Sequence, residues 1–99
     1  MLTITAVIRV KTGSEQAMRD ALLTVARNVA INEPDTIGFF MSQDAADPCR
    51  FTTYERFADQ AAMDRHNGSE TVATFFAIAK PLLDGEVTLV QAAELFAKG

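Results

Sequence analysis

His66 is the single histidine of a 99-residue chain, and an imidazole with an ordinary pKa of about 6.5 is the best proton shuttle available near neutral pH. A histidine in the last turn of a short helix also suits the negative end of the helix dipole, so residue type alone leaves both roles open. Tyr54 and Glu55 sit side by side in the segment Arg50 to Phe57 (RFTTYERF). A buried Glu can act as a general base, and a Tyr hydroxyl can hydrogen-bond a ligand oxygen. On a strand, adjacent side chains face opposite ways, so at most one of the two lines a given pocket. Equally, Glu55 could pair with Arg9 or Arg56, and Tyr54 could pack its ring. Phe51, Phe57, Phe75 and Phe76 supply either an aromatic slot for a flat substrate or ordinary core. Cys49 follows Pro48 with no His or helix N-terminus beside it in sequence, and is expected to be inert. One His and one Cys cannot assemble the multi-His or multi-Cys centres that transition metals favour, so no metal is expected.

These residues must be positioned by regular elements. Leu2, Ile4, Ala6, Ile8 and Val10 alternate with Thr3, Thr5, Val7 and Arg9, which predicts a strand. Thr12 and Ser14 can cap a helix to about Asn32, with Glu15 completing a T-x-x-E capping box and Met18, Leu22, Val25 and Val29 on one face. Pro34 and Asp35 break it, and Thr36 to Gln43 (TIGFFMSQ) reads as a second strand. The turn residues Asp44 to Pro48 join it to a third strand at Arg50 to Phe57, making an antiparallel hairpin. Asp59 can cap a short helix through His66 that Asn67 and Gly68 end. Ser69 caps the next, carrying Val72, Phe75, Phe76 and Ala79, until Pro81 stops or kinks it. Glu86 to Phe96 completes a fourth strand by alternation. The order β-α-β-β-α-β predicts an α+β fold, the ferredoxin-like split βαβ with a four-stranded antiparallel sheet, as one domain over 1–99. Val7, Phe40, Tyr54, Val90 and Phe96 fall on the sheet face away from the helices, which predicts that a second copy covers it as a homodimer.

Composition narrows the partners. The chain is 48% hydrophobic and 22% charged, the balance of a globular protein. A net charge of −4 disfavours nucleic acid and anionic lipid, which attract clustered Lys and Arg. No segment has the roughly 20 apolar residues needed to span a bilayer, so no membrane partner is expected. The N-terminus lacks a basic lead and a cleavage site, and a lone cysteine gains nothing from an oxidising compartment, so the expected location is cytoplasmic.

Phe51-x-x-Tyr54-Glu55-x-Phe57, followed by His66 and then Ser69, resembles the antibiotic biosynthesis monooxygenase (ABM) family over essentially the whole chain. The family pattern is an aromatic residue, a Glu, a Trp, a His and then Ser-Pro-His. Here Phe57 stands in the Trp position and Ser69-Glu70-Thr71 replaces Ser-Pro-His. The resemblance implies a dimeric α+β barrel and a cofactor-independent monooxygenase of small quinols or polycyclic phenols. It places His66, Tyr54 and Glu55 as catalytic residues beside a small aromatic substrate, for which Phe51, Phe57, Phe75 and Phe76 are the aromatic-slot candidates read from residue type. No cofactor is implied, because a deprotonated, electron-rich phenol can itself reduce dioxygen in a dry pocket. A related branch degrades haem and carries an Asn on strand one, where this chain has Ala6. The remaining alternative is a non-catalytic dimeric module that binds or senses a small ligand.

Overall fold

In the computed structural model, which describes residues 1–99, the chain runs β1 (Leu2–Arg9), α1 (Glu15–Asn32), β2 (Thr36–Gln43), β3 (Arg50–Phe57), α2 (Gln60–Asn67), α3 (Glu70–Ala79), a 3-10 turn (Lys80–Leu82) and β4 (Thr88–Ala93). The strands form one antiparallel sheet in the order β2-β3-β1-β4, which is the ferredoxin-like plan. Alternation does what the sequence predicts on β1, where Ile4, Ala6 and Ile8 are buried beneath the helices. On β3 the buried residues are Phe51, Thr53, Glu55 and Phe57, so the same periodicity carries two polar side chains inward.

Three local expectations are corrected. Ser14 stands at the start of α1 without a side-chain cap, and Glu15 Oε1 instead accepts from the backbone N–H of Gly13 at 2.6 Å and from the Cys49 thiol at 3.1 Å. The capping box does not close because Gly13, at φ 95°, turns its own N–H to the carboxylate. The fourth strand is shorter than 86–96: Leu2 pairs with Ala93, so β1 offers no further partner beyond that point. Leu95 and Phe96 therefore lie past the strand, fully or largely exposed, rather than on a sheet face. Glu55 pairs with neither arginine, because Arg9 binds Asp47 at 2.8 Å and Arg56 binds Glu94 at 2.7 Å.

The other punctuation is as expected. Asp44 Oδ1 accepts from the N–H groups of Ala46 and Asp47 while Arg50 binds its other oxygen. The Ala46 N–H first, then Arg50 and the Asp47 N–H, hold the Asp44 carboxyl down at about 2. Asp59 and Ser69 each accept from a backbone N–H in the first turn of α2 and α3. No helix is long and apolar enough to cross a membrane.

One irregularity positions the site. Thr36 pairs with Phe57 and Gly38 with Arg56, so Ile37 is an extra residue in β2. That bulge brings Phe39 opposite Glu55 on the helix side and Phe40 opposite Tyr54 on the other. A Cβ at Gly38 would lie 2.9 Å from the Phe40 ring and 3.3 Å from Arg56 Cδ, so a larger residue here would have to push those two side chains aside.

The core divides into two clusters. One gathers Ala6, Ile8, Val10, Met18, Leu22, Phe51 and Ala79; the other joins Ile4, Phe57, Ala62 and Met63. Helix α3 packs chiefly on α1 and the 3-10 turn rather than on the sheet, which leaves space between the layers.

Candidate functional site

That space is a cavity of about 220 Å³ touched by members of both core clusters. Its floor is the helix-facing side of the sheet, with Ile4, Ala6 and Ile8 from β1, Phe39 and Met41 from β2, and Leu89 and Gln91 from β4. Its roof comes from α1 and from Val72, Phe75, Phe76 and Ala79 of α3. Phe76, Leu89 and Gln91 are exposed, so the wall between α3 and β4 is where the cavity meets solvent.

Among mostly apolar lining, Thr53, Glu55, His66 and Asn67 form a polar corner. His66 is 5% exposed, on the last turn of α2, where the Asp59 cap and the Gly68 stop fix the helix at both ends. Its Nε2 lies 3.2 Å from Glu55 Oε1, and the Thr53 hydroxyl donates to Glu55 Oε2 at 2.9 Å. Its Nδ1 lies 2.8 Å from Oε1 of Glu33, the residue that ends α1. The rings of Phe39 and Phe57 flank the imidazole at 5.5 and 5.3 Å between centroids.

Burial acts to lower the His66 pKa and is the largest single influence. The hydrogen bonds to Glu55 and Glu33 together outweigh it, so the imidazole stays above its ordinary pKa and favours the charged form. The two carboxylates lie against opposite ring nitrogens and so do not converge on one point, and no group of three His, Cys, Asp or Glu side chains is arranged to hold a metal ion.

The structure brings His66, Glu55, Phe75 and Phe76 to one cavity. Tyr54 is not with them: its register opposite Thr5 and Phe40 puts it on the far face of the sheet, 38% exposed, so it cannot act in this cavity. Phe57 is fully buried behind His66 and supports the ring instead of lining the cavity. Phe51 belongs to the core beneath α1 and borders a shallower groove with Arg19 and Leu23. Thr71 lines a groove between α1 and α3, outside the cavity. The Cys49 thiol is pushed up by its hydrogen bond to Glu15, which keeps it protonated and unreactive.

Sequence reasoning missed Glu33 and Thr53. Thr53 was legible, since two residues before Glu55 on a strand means the same face. Glu33 carries no local signal: it is a helix-ending residue before Pro34 and meets His66 only through the fold.

The comparisons with known proteins agree with this architecture. The family model described as antibiotic biosynthesis monooxygenase matches residues 1–78. A solved antibiotic biosynthesis monooxygenase superposes with a TM-score of 0.88 at 20% identity, covering 96% of this chain and 99% of its own. A Mycobacterium tuberculosis protein gives 0.89 at 19% identity over 99% of this chain and 98% of its own. A Nitrosomonas europaea protein of unknown function gives 0.82 at 28% identity over 98% and 91%. No curated protein matches the chain. A family model that spans most of the sequence, on a sheet of the same plan, places this chain in the antibiotic biosynthesis monooxygenase family.

Proposed function

We propose that this protein is a cofactor-independent monooxygenase that oxidises a small quinol or phenol with dioxygen, using Glu55 and His66 as its acid–base pair. One observation carries the reading: the cavity is mostly apolar, with Gln91 at its open side, and its buried corner sets the Glu55 carboxylate 3.2 Å from the His66 imidazole. A cavity of about 150 Å³ accepts benzene, so about 220 Å³ suits one or two fused rings. With its ring among Phe39, Phe75 and Phe76, a phenol can turn its hydroxyl to Glu55. Loss of that proton makes the ring electron-rich enough to reduce dioxygen. One oxygen atom becomes a new ring carbonyl, and the other leaves as water with the O–H and one C–H hydrogen of the phenol. All four electrons come from the ring, so no external reductant enters.

The two departures from the family pattern leave the corner intact. Thr71 lies outside the cavity, and Phe57 is an aromatic support behind His66. The haem-degrading reading is disfavoured by the same geometry. Both imidazole nitrogens of His66 face carboxylates, and the cavity is below the roughly 300 Å³ at which drug-sized sites begin.

We further propose that two copies pair through the sheet face away from the helices. Phe40, Tyr54 and Val90 are exposed there, and a two-fold partner is the simplest cover for such a face. The partner's own site would then be a second, separate cavity.

Oxygen uptake over a panel of one- and two-ring quinols and phenols tests the reaction. Wild type consumes oxygen with at least one of them, and His66→Ala lowers the rate about 10²-fold or more, the scale of lost acid–base catalysis. If wild type and variant both stay at background, catalysis is refuted and the non-catalytic binding module takes its place.

A further inference from the structure

The Glu55–His66 pair has a third member outside the cavity. Glu33 Oε1 accepts from the Thr36 hydroxyl at 2.8 Å as well as facing His66 Nδ1, and its Oε2 accepts from the Asn28 amide at 3.4 Å. The carboxylate is thus fixed from α1 and β2, the elements on either side of it. Its side chain is 17% exposed, against 5% for His66, and it is not among the cavity-lining residues.

A carboxylate can only accept hydrogen bonds unless it is protonated. With Glu33 hydrogen-bonded at Nδ1 and the Glu55 carboxylate 3.2 Å from Nε2, each ring nitrogen faces an acceptor, an arrangement that suits a proton on both, which is the imidazolium. No other charged group faces the ring. Phe39 and Phe57 pack on it from β2 and β3. On α2 itself, Arg65 turns to Asp35 at 2.7 Å and Asp64 to Gln60 at 2.9 Å.

We infer that Glu33 is a positioning residue: by accepting the Nδ1–H it holds His66 doubly protonated, which makes Glu55, not His66, the group that takes a proton from a ligand in the cavity. The inference rests on the proposed acid–base role of this corner. Two carboxylates and one imidazolium carry a net −1, and a proton on Glu55 brings the buried group to neutrality, the state that low-dielectric surroundings favour. The ligand O–H bond breaks, its proton moves to the Glu55 carboxylate, and His66 keeps both of its own. Without Glu33 the ring gives up its proton more readily, and a neutral His66 then competes with Glu55 for the ligand's proton.

The single histidine makes the test direct, because nitrogen and proton resonances of one imidazole need no assignment. In wild type at pH 7 both His66 nitrogens are expected to be protonated. In Glu33→Gln, with its fold checked by the amide spectrum, the His66 titration midpoint falls by about one pH unit or more, the size of a lost adjacent charge. Asp35→Asn, which removes an exposed carboxylate two residues away, leaves the midpoint where it was. In the oxygen-uptake assay the alkaline limb of the Glu33→Gln rate profile moves to lower pH with the midpoint. A singly protonated, neutral ring in wild type at pH 7 overturns the inference without recourse to any variant, and so does an unmoved midpoint in Glu33→Gln. Oxygen uptake with an unmoved midpoint refutes the role of Glu33 while the monooxygenase reading stands. A shifted midpoint with no oxygen uptake on any quinol does the reverse.

Discussion

The imidazole of His66 has aromatic rings on two sides and carboxylates on the other two, so its charge state is set by contacts made from α1, β2 and β3. Because Glu55 and Glu33 hold its folded pKa above the ordinary value, the folded state binds a proton more tightly there than the unfolded chain. The sign follows. Below the unfolded pKa of about 6.5 both states are protonated and this contribution is fully present; it is lost as pH rises through the folded pKa. Urea unfolding across that window is expected to give a midpoint that falls with rising pH, and His66→Gln, which has nothing to titrate, flattens the slope. A wild-type midpoint that climbs over the same range contradicts the assignment.

At the scale of elements, α2 is eight residues long, and while Ala62 and Met63 pack it on the core, it delivers His66 to the cavity. So short a helix depends on its ends. Asp59 Oδ1 accepts from Ala62 N at 2.8 Å, and loss of such a cap costs about 1 kcal/mol. Asp59→Ala is therefore expected to lower thermal stability modestly and to broaden the His66 resonances as α2 frays; calorimetry and the imidazole spectrum read the two effects. Unchanged resonances with lowered stability would mean that β3 and Glu33, not the helix, hold the ring. The bulge at Ile37 is the second element-scale device. It shifts the alternation of β2 by one residue, so that Phe39 joins the site and Phe40 the opposite face.

At the scale of the whole molecule, Phe40, Tyr54 and Val90 stand exposed on the face that the proposed two-fold partner covers. Sedimentation equilibrium is expected to report twice the chain mass, and Phe40→Glu, a charge in the middle of that face, is expected to give monomers with an unchanged His66 spectrum. Wild type that sediments as a monomer at high concentration removes the dimer. Much of this architecture is legible in the amino-acid sequence. Period-two runs on β1 and β3, the caps Asp59 and Ser69, and the breakers Pro34 and Pro81 act within a few residues, so local chemistry determined them. The His66 and Glu55 candidates were legible too, as residue types at a family spacing. Tertiary structure alone decided the rest: that α3 stands off the sheet to open a cavity, that Tyr54 faces away from it, that β4 stops where β1 runs out, and that Glu33 closes on His66. Contacts between residues 33 apart depend on how whole elements pack, and no spacing rule along the chain encodes that.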